Sequence, residues 1–198
     1  RAVILVSANA GWGNSIAAGR GGVHVATFED PGAFESARYG TNASGAWVWS
    51  ATAAGTGAVS GDLGTSVAGT LPAAGDLEAA ASATTGYFES SIALGPHCAV
   101  HVAYSDPTGF DLEYNVRALD GLWAAAPCQA DGAGVLATCA PAGTTNVVGR
   151  SNAMVVTGTG QSGAEVTAHI FYTDQTGFDV RYVKMYPDTI ADDKCEGY

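Results

Sequence analysis

Hydrophobic and polar positions alternate in two stretches of this chain that closely resemble each other. Residues 100–114 read VHVAYSDPTGFDLEY and residues 168–182 read AHIFYTDQTGFDVRY, and the two align without a gap. In both, an alternation typical of a strand with one buried face runs on each side of an Asp-x-Thr-Gly segment. Asp at the first and Gly at the fourth position of that segment are favoured in type I turns. Each stretch is therefore predicted to form a β-hairpin.

A third, looser copy of this pattern spans residues 23–39 and aligns with the others after two single-residue insertions. His24, His101 and His169 then share one position of the repeat. A Ser-Ile-Ala segment precedes the first two copies in the chain, and a Gly-x-Trp segment follows them. These flanking segments would complete four-stranded antiparallel sheets, which must pack on one another because a lone sheet cannot bury its apolar face.

The repeats predict a single all-β domain over residues 1–198, built of propeller-like antiparallel sheets, with a β-sandwich as the alternative. Its three repeat units have the approximate bounds 15–50, 91–125 and 152–186, and the Ala/Gly-rich spacers between them are 51–90 and 126–151. The first spacer fits a degenerate copy or a long insertion. A helix over 73–83 is a further alternative, because alanine favours helices.

Composition narrows the range of partners. The chain is acidic, with a net charge of −11, and only 14% of its residues are charged, against about 25% in an ordinary globular protein. Its only lysines are Lys184 and Lys194. Nucleic acids and anionic membrane surfaces bind clustered Lys and Arg, so neither is expected as a partner. No apolar run approaches the ~20 residues of a spanning helix. We expect a glycan or protein partner, with self-assembly included.

The cysteines indicate an oxidising compartment. The four cysteines, at spacings that match no zinc-ligand pattern, are Cys98, Cys128, Cys139 and Cys195. An even number fits the disulfides of an exported protein. Of the three connectivities we expect Cys128–Cys139, closing a short Gly/Ala loop, and Cys98–Cys195, tying the C-terminus to a central strand. Four reduced thiols in an intracellular protein are the alternative.

Two further features bear on localisation. Asn42-Ala43-Ser44 is an N-glycosylation sequon within a polar turn, which predicts a secreted glycoprotein modified at Asn42. The sequence begins at Arg1 and carries no signal-peptide pattern. We therefore expect a processed mature chain or a fragment of a longer one, located outside the cell.

The repeat resembles the blades of sialidase-like β-propellers, the group with Asp-box-like repeats. In such blades a V-H-V-A-Y strand is followed by an Asp/Gly turn, then by D-L-x-Y and G-x-W. The residues that carry the resemblance are Val100 to Tyr104, Asp106, Gly109, Asp111, Leu112, Tyr114, Gly121 and Trp123. The resemblance implies a propeller scaffold and, as an alternative function, a sialidase-type glycoside hydrolase.

The chain departs from this family in three respects. Its histidine positions are 77 and 68 residues apart, whereas common propeller blades repeat every ~40–50 residues. Three copies are fewer than the usual four to eight blades. The strict Asp-box, Ser-x-Asp-x-Gly-x-x-Trp, is absent. A hidden fourth blade, a larger ring, closure by oligomerisation and a sandwich therefore stay open.

The residues of a sialidase site do not converge in the sequence. Such an enzyme needs three arginines that hold a carboxylate, a Tyr nucleophile with a Glu partner, and an acid/base Asp. Arg38 and Arg181 each precede a Tyr at equivalent repeat positions, and Arg117 lies three residues after one. Equivalent positions belong to different blades, so exposed strand arginines are the simpler interpretation, and no catalytic residue is predicted.

Metal binding is also disfavoured. The three recurring histidines could ligate a metal, but recurrence in every copy is explained more simply by packing or hydrogen bonding within the unit. The acid pairs that could supply oxygen ligands to Ca²⁺ are Asp106/Asp111, Asp174/Asp179 and Asp30/Glu35. Their spacing fits no EF-hand loop. We expect no cofactor, with Ca²⁺ as the alternative.

Aromatic residues are the remaining candidates for ligand contact. Trp12 and Trp49 lie outside the positions that recur between copies and could stack on sugar rings. With Arg38 and Arg181 they form the predicted ligand-binding set. We therefore predict a non-catalytic extracellular module for binding or assembly, which either binds carbohydrate or is a structural subunit of an extracellular polymer.

Overall fold

The described part of the protein consists of three antiparallel β-sheets. The computed structural model describes residues 10–19, 22–29, 36–43, 47–49, 76–79, 89–96, 98–105, 111–117, 128–130, 147–158 and 166–186. Within these ranges there are strands and turns and no helix. The all-β prediction with antiparallel repeat sheets is confirmed.

In each sheet consecutive strands pair as a meander, except that the last strand of the first sheet pairs with the third strand. The first sheet contains β1 (Ala10–Gly19), β2 (Gly22–Glu29), β3 (Ser36–Thr41), β4 (Val48–Trp49) and β5 (Asp76–Ala79), the last two pairing with different parts of β3. The second contains β6 (Ser90–Leu94), β7 (Val100–Ser105), β8 (Leu112–Arg117) and β9 (Cys128–Gln129). The third contains β10 (Val148–Thr157), β11 (Thr167–Asp174) and β12 (Asp179–Met185).

The boundaries of the repeat differ from those expected from the sequence. Strands β1 and β10 begin before the predicted unit starts at 15 and 152. Strand β5 lies where a helix over 73–83 was an alternative, and that alternative is wrong. Its Asp76–Ala79 segment pairs with Ser36–Arg38 of β3, so an available sheet edge outweighs the helix propensity of alanine there. The segment at 121–123, expected as an outer strand, lies outside the described residues.

The hairpin turn of the third sheet has the predicted Asp-based structure. Asp174 and Asp179 face each other at the ends of β11 and β12, with residues 175–178 between them. The Asp174 Oδ1 atom accepts a hydrogen bond from the Gly177 backbone N–H at 2.8 Å. A carboxylate that caps a turn in this way replaces a backbone acceptor, which is why Asp is favoured at this position. The corresponding turn at 106–110 lies outside the described residues.

Strands β1 and β10 carry the same irregularity. Their pairing with the next strand shifts register between Trp12 and Ser15 in one sheet and between Arg150 and Ala153 in the other. Gly13 has a φ of 56° and Ser151 a φ of 48° within these bulges. A bulge bends the strand and strengthens its twist. The two sheets thus share a distortion that their sequences at these positions, Gly and Ser, do not reveal.

The repeat has two unlike faces in every sheet. We call the surface that carries the recurring histidine the His face and the opposite surface the aliphatic face. Register places the His-face positions of the three sheets as Ala17, His24, Ala26 and Tyr39; Ala93, His101, Ala103 and Tyr114; and Val155, His169, Phe171 and Tyr182. The main aliphatic-face positions are Ile16, Val23 and Val25; Ile92, Val100 and Val102; and Met154, Ala168 and Ile170.

The sheets stack with unlike faces in contact. One core cluster combines Tyr39 and Ala26 of the first sheet's His face with the aliphatic face of the second sheet. The other combines Tyr114 and Ala103 of the second sheet's His face with the aliphatic face of the third. The initial strands β1 and β10 both contact β6 of the second sheet. The stacking is therefore head to tail, from the first sheet to the third.

This stacking corrects one expectation from the sequence, a hairpin with a single apolar face. All residues of β7, Val100–Ser105, are buried, because the second sheet is covered on both sides. The small side chain of Ala103 lets the third sheet pack closely on the face that carries His101. The sequence of β7 therefore alternates between polar and apolar residues although both faces of the second sheet are buried.

Candidate binding face

A histidine–tyrosine pair recurs on the His face of every sheet. A hydrogen bond joins the histidine Nδ1 atom to the tyrosine hydroxyl, at 2.6 Å for His24–Tyr39 and 2.6 Å for His101–Tyr114. The third pair, His169–Tyr182, has the same bond at 2.5 Å. In each case the tyrosine lies diagonally across the strand pair from the histidine. Packing and hydrogen bonding within the unit therefore account for the recurrence of histidine.

The first two pairs are structural because they lie inside the stack. His101 has no exposed surface, and its burial lowers the pKa of the imidazole to about 4. Burial, with a smaller contribution from the Arg117 charge, lowers the pKa of His24 to about 4. Burial also raises the pKa values of Tyr39 and Tyr114. Both pairs are therefore neutral at neutral pH, because burial disfavours the charged form of each group.

The boundary between the first and second sheets includes a cation–aromatic contact. The Arg117 guanidinium carbon lies 5.4 Å from the centroid of the Tyr39 ring. Arg117 belongs to β8 on the aliphatic face of the second sheet. At the next boundary, Met185 of the third sheet occupies the position equivalent to Arg117 and belongs to the core cluster with Tyr114.

The third pair lies at the surface. Phe171 and Tyr182 are 52% and 40% exposed, whereas Ala103 and Tyr114, at the same positions in the second sheet, are 0% and 3% exposed. Val155 and Val180 on the same face are also exposed. Scattered apolar residues at a surface are ordinary, but these are neighbours across three strands and form one patch, which is typical of an interaction surface.

The exposed patch has an ordered polar centre. The Nε2 atom of His169 is 2.9 Å from the Thr157 Oγ1 atom, so both ring nitrogens have partners. The Tyr182 ring packs against Phe171, with centroids 4.8 Å apart, and stacks on His169 at 6.0 Å. Such an arrangement offers flat apolar surface together with a fixed hydroxyl and imidazole, and suits a sugar ring or an apolar protein surface.

The polar partner of the third histidine is a substitution within the repeat. Thr157 occupies the register position of Gly95 in the second sheet. There the His101 Nε2 atom is buried without a hydrogen-bond partner, and a Cβ atom on Gly95 would lie 2.6 Å from it. In the second sheet a glycine at this position leaves room for the close packing of His101. In the third sheet Thr157 at the same position supplies a hydroxyl that contacts the histidine. Sequence comparison of the copies could have found this difference.

The predicted ligand-binding arginines lie in different sheets. Arg38 lies in β3 opposite Thr27, and Arg181 lies in β12 opposite Tyr172, at the equivalent register position. Arg181 forms an ion pair with the buried carboxylate of Asp174. The third arginine considered, Arg117, lies in β8 of the second sheet. The structure therefore gives these arginines equivalent or separate structural places and does not show one shared carboxylate-binding cluster.

The predicted tryptophans lie in the first sheet. Trp12 is in β1 opposite Phe28, and Trp49 is in β4 opposite Gly40. Their side chains, like that of Arg38, lie outside the described part of the structure. Sugar stacking at Trp12 and Trp49 stays a prediction. The aromatic surface of Phe171 and Tyr182 was missed because these residues align with buried positions of the other copies.

The remaining predicted sites are only partly described. Cys98 is disulfide-bonded, and the side chains of the other three cysteines lie outside the described part, so the pairing stays a prediction. The Asn42 Oδ1 atom accepts a hydrogen bond from the Val23 N–H at 2.7 Å, and glycosylation at Asn42 stays a prediction. Among the described residues no group of three or more His, Cys, Asp or Glu side chains could hold a metal ion.

Comparisons with known proteins give no family. No protein-family model matches the chain, and a search of curated proteins gave no significant match. Within the described ranges the chain also lacks a helix that is long and apolar enough to cross a membrane.

Proposed function

We propose that this chain is a non-catalytic binding or assembly module whose recognition surface is the His face of the third sheet. The observation that carries the proposal is the difference between copies. In the first and second sheets the His–Tyr pair is covered by the following sheet, whereas the pair in the third sheet is exposed. Beside the exposed pair lie Phe171 and Val155, at positions where the other two sheets have alanine. A surface designed only for solvent would not need larger apolar side chains at these positions.

The absence of catalysis in this proposal rests on the composition of that face. Its described strand positions on β11 and β12, which are Thr167, His169, Phe171, Thr173, Val180, Tyr182 and Lys184, include no carboxylate. A tyrosine nucleophile of the sialidase type needs a carboxylate partner and an acid. The Tyr182 hydroxyl is instead bonded to His169, which fixes its orientation for contact.

The scaffold and location form part of the same proposal. Head-to-tail stacking of three similar meanders, whose initial strands β1, β6 and β10 lie together, supports a propeller-like arrangement of sialidase-like blades. The disulfide at Cys98 supports an extracellular protein, for which we propose Cys98–Cys195 and Cys128–Cys139 as the bridges.

The experiment that tests this function compares the wild-type chain with Phe171→Glu. Both proteins are applied to a glycan array and, separately, studied by sedimentation velocity over a concentration series. We expect wild type to bind a glycan, self-associate, or both, and Phe171→Glu to lose that interaction. Gln175→Glu, in the exposed turn beside the face, is the charge-matched control and should behave as wild type. Hydrolysis of a fluorogenic sialoside, or an interaction that survives in Phe171→Glu, would refute the proposal.

A further inference from the structure

The two boundaries within the chain follow one rule. In both, a His face packs on the aliphatic face of the next sheet, and the tyrosine of the His–Tyr pair lies at the contact. Hydrogen bonds between initial strands accompany this packing. The Ser90 Oγ atom donates to the Gly13 carbonyl at 2.7 Å, and Ser91 Oγ donates to Asn152 Oδ1 at 2.6 Å. The rule therefore includes both apolar and polar contacts.

Among the three described sheets, the rule leaves one face of each kind without a sheet against it. The third sheet presents its His face, with Phe171 and Val180 exposed. The first sheet presents its aliphatic face, where Ile16 is 69% exposed. Ile16 shares its register position with Ile92 and Met154, which pack within the two stacks. The first sheet thus keeps an apolar residue at a contact position that no other sheet covers within the part of the chain that the structure describes.

We infer that the His face of the third sheet docks on the aliphatic face of the first sheet of a second copy. This inference rests on the proposed function and names the partner of its recognition surface. A second copy is favoured for two reasons. Its first sheet would continue the packing rule of the two existing boundaries. In addition, outside their own sheets β1 and β10 make their main contacts with the second sheet, so the first and third sheets do not pack mainly on each other within one chain. A head-to-tail contact of this kind joins different surfaces of the two copies, so it produces a closed ring, of two copies or more, or an open filament.

The side chains that contact each tyrosine at the existing boundaries specify how the two copies would fit. Each boundary within the chain pairs a tyrosine with a large side chain of the next sheet, Arg117 over Tyr39 in one case and Met185 in the cluster of Tyr114 in the other. The equivalent position of the first sheet is Asn42. In the docked pair Asn42 would therefore lie at Tyr182 of the other copy, where its amide can meet the phenol.

A complementation experiment on the full chain tests the inference. Phe171→Glu alters the docking face of the third sheet and Ile16→Glu that of the first, and both sites are exposed, so folding should survive, as far-UV circular dichroism will check. We expect wild type to associate with rising concentration in sedimentation velocity. Each variant alone should associate at least about tenfold more weakly, because a buried glutamate is unpaired there.

The decisive sample is the equimolar mixture of the two variants. Phe171→Glu keeps an intact first sheet and Ile16→Glu an intact third sheet, so the mixture should form a heterodimer and nothing larger. Val180→Glu replaces Phe171→Glu if the latter does not fold, and Gln175→Glu should associate as wild type does. A mixture that stays monomeric would overturn the head-to-tail assignment.

The same samples separate this inference from the proposed function. If wild type is monomeric up to about 200 μM, where a micromolar Kd would be populated, the second copy is not the partner. Glycan binding that depends on Phe171 would then leave the proposed function standing. If Phe171→Glu binds glycans and associates as wild type does, both the inference and the proposed function are overturned.

Discussion

Acidification should destabilise this protein through its two buried histidines. In the folded chain burial lowers the pKa values of His24 and His101 to about 4, from the ordinary value of 6.5. Because the unfolded chain binds protons first, the contribution of each neutral imidazole to stability is complete above pH ~6.5. It is lost as the pH falls towards ~4. At about 1.4 kcal/mol for each pH unit, each histidine costs about 2 kcal/mol on going from pH 7 to pH 5.

Urea unfolding followed by tryptophan fluorescence at pH 7, 6 and 5 measures this loss. The variants His24→Asn and His101→Asn retain a side chain that can bond the tyrosine hydroxyl but does not titrate. Each should be less stable than wild type at pH 7, and each should lose about 2 kcal/mol less than wild type between pH 7 and pH 5. The comparison of slopes removes the contribution of the carboxylates, which wild type and variants share. Parallel curves for wild type and both variants would refute the assignment of buried neutral imidazoles.

Three further results are expected. Gly149→Ala should lower the free energy of unfolding by at least about 2 kcal/mol in urea titrations, because φ is 86° and a Cβ atom would lie 2.9 Å from the Asp111 carbonyl oxygen. Asp174→Asn should cost about 1–3 kcal/mol in thermal melts, since it breaks the ion pair with Arg181; an unchanged Tm would contradict that pair. Non-reducing peptide mapping should recover two bridges, and free thiols would contradict the exported assignment; the expected pairs are Cys98–Cys195 and Cys128–Cys139.

The strands and their repetition could be predicted from the sequence because the signals are local. Alternation has period two in any strand, and Asp174 with Gly177 marks a turn wherever it occurs. The shared position of His24, His101 and His169 followed from alignment alone, and the structure places all three in the same hydrogen-bonded pair. These parts depend only on neighbours in the sequence or on comparison between copies.

What covers each face could not be predicted, because it depends on contacts between distant residues. Tyr114 and Tyr182 look alike in the sequence, yet one is buried and the other exposed. The third sheet is stacked on the His face that carries Tyr114, whereas no described sheet is stacked on the His face that carries Tyr182. For the same reason the site prediction selected Trp12 and Trp49 and passed over Phe171. The size of Phe171, at a position where two copies have alanine, was the available signal.

The packing of a His face on an aliphatic face has a consequence for how such a chain can change in length. Each sheet has a His face on one side and, on the other, an aliphatic face of the kind that packs on the His face of another sheet. A whole sheet can therefore be duplicated or deleted, and the two faces that come into contact afterwards are still complementary. If like faces packed on like faces, adding or removing one sheet would bring two unlike faces into contact, and they would not be complementary. Growth by whole units is therefore built into the geometry of the sheet, and terminal units are where new specificity can accumulate without disturbing the interior.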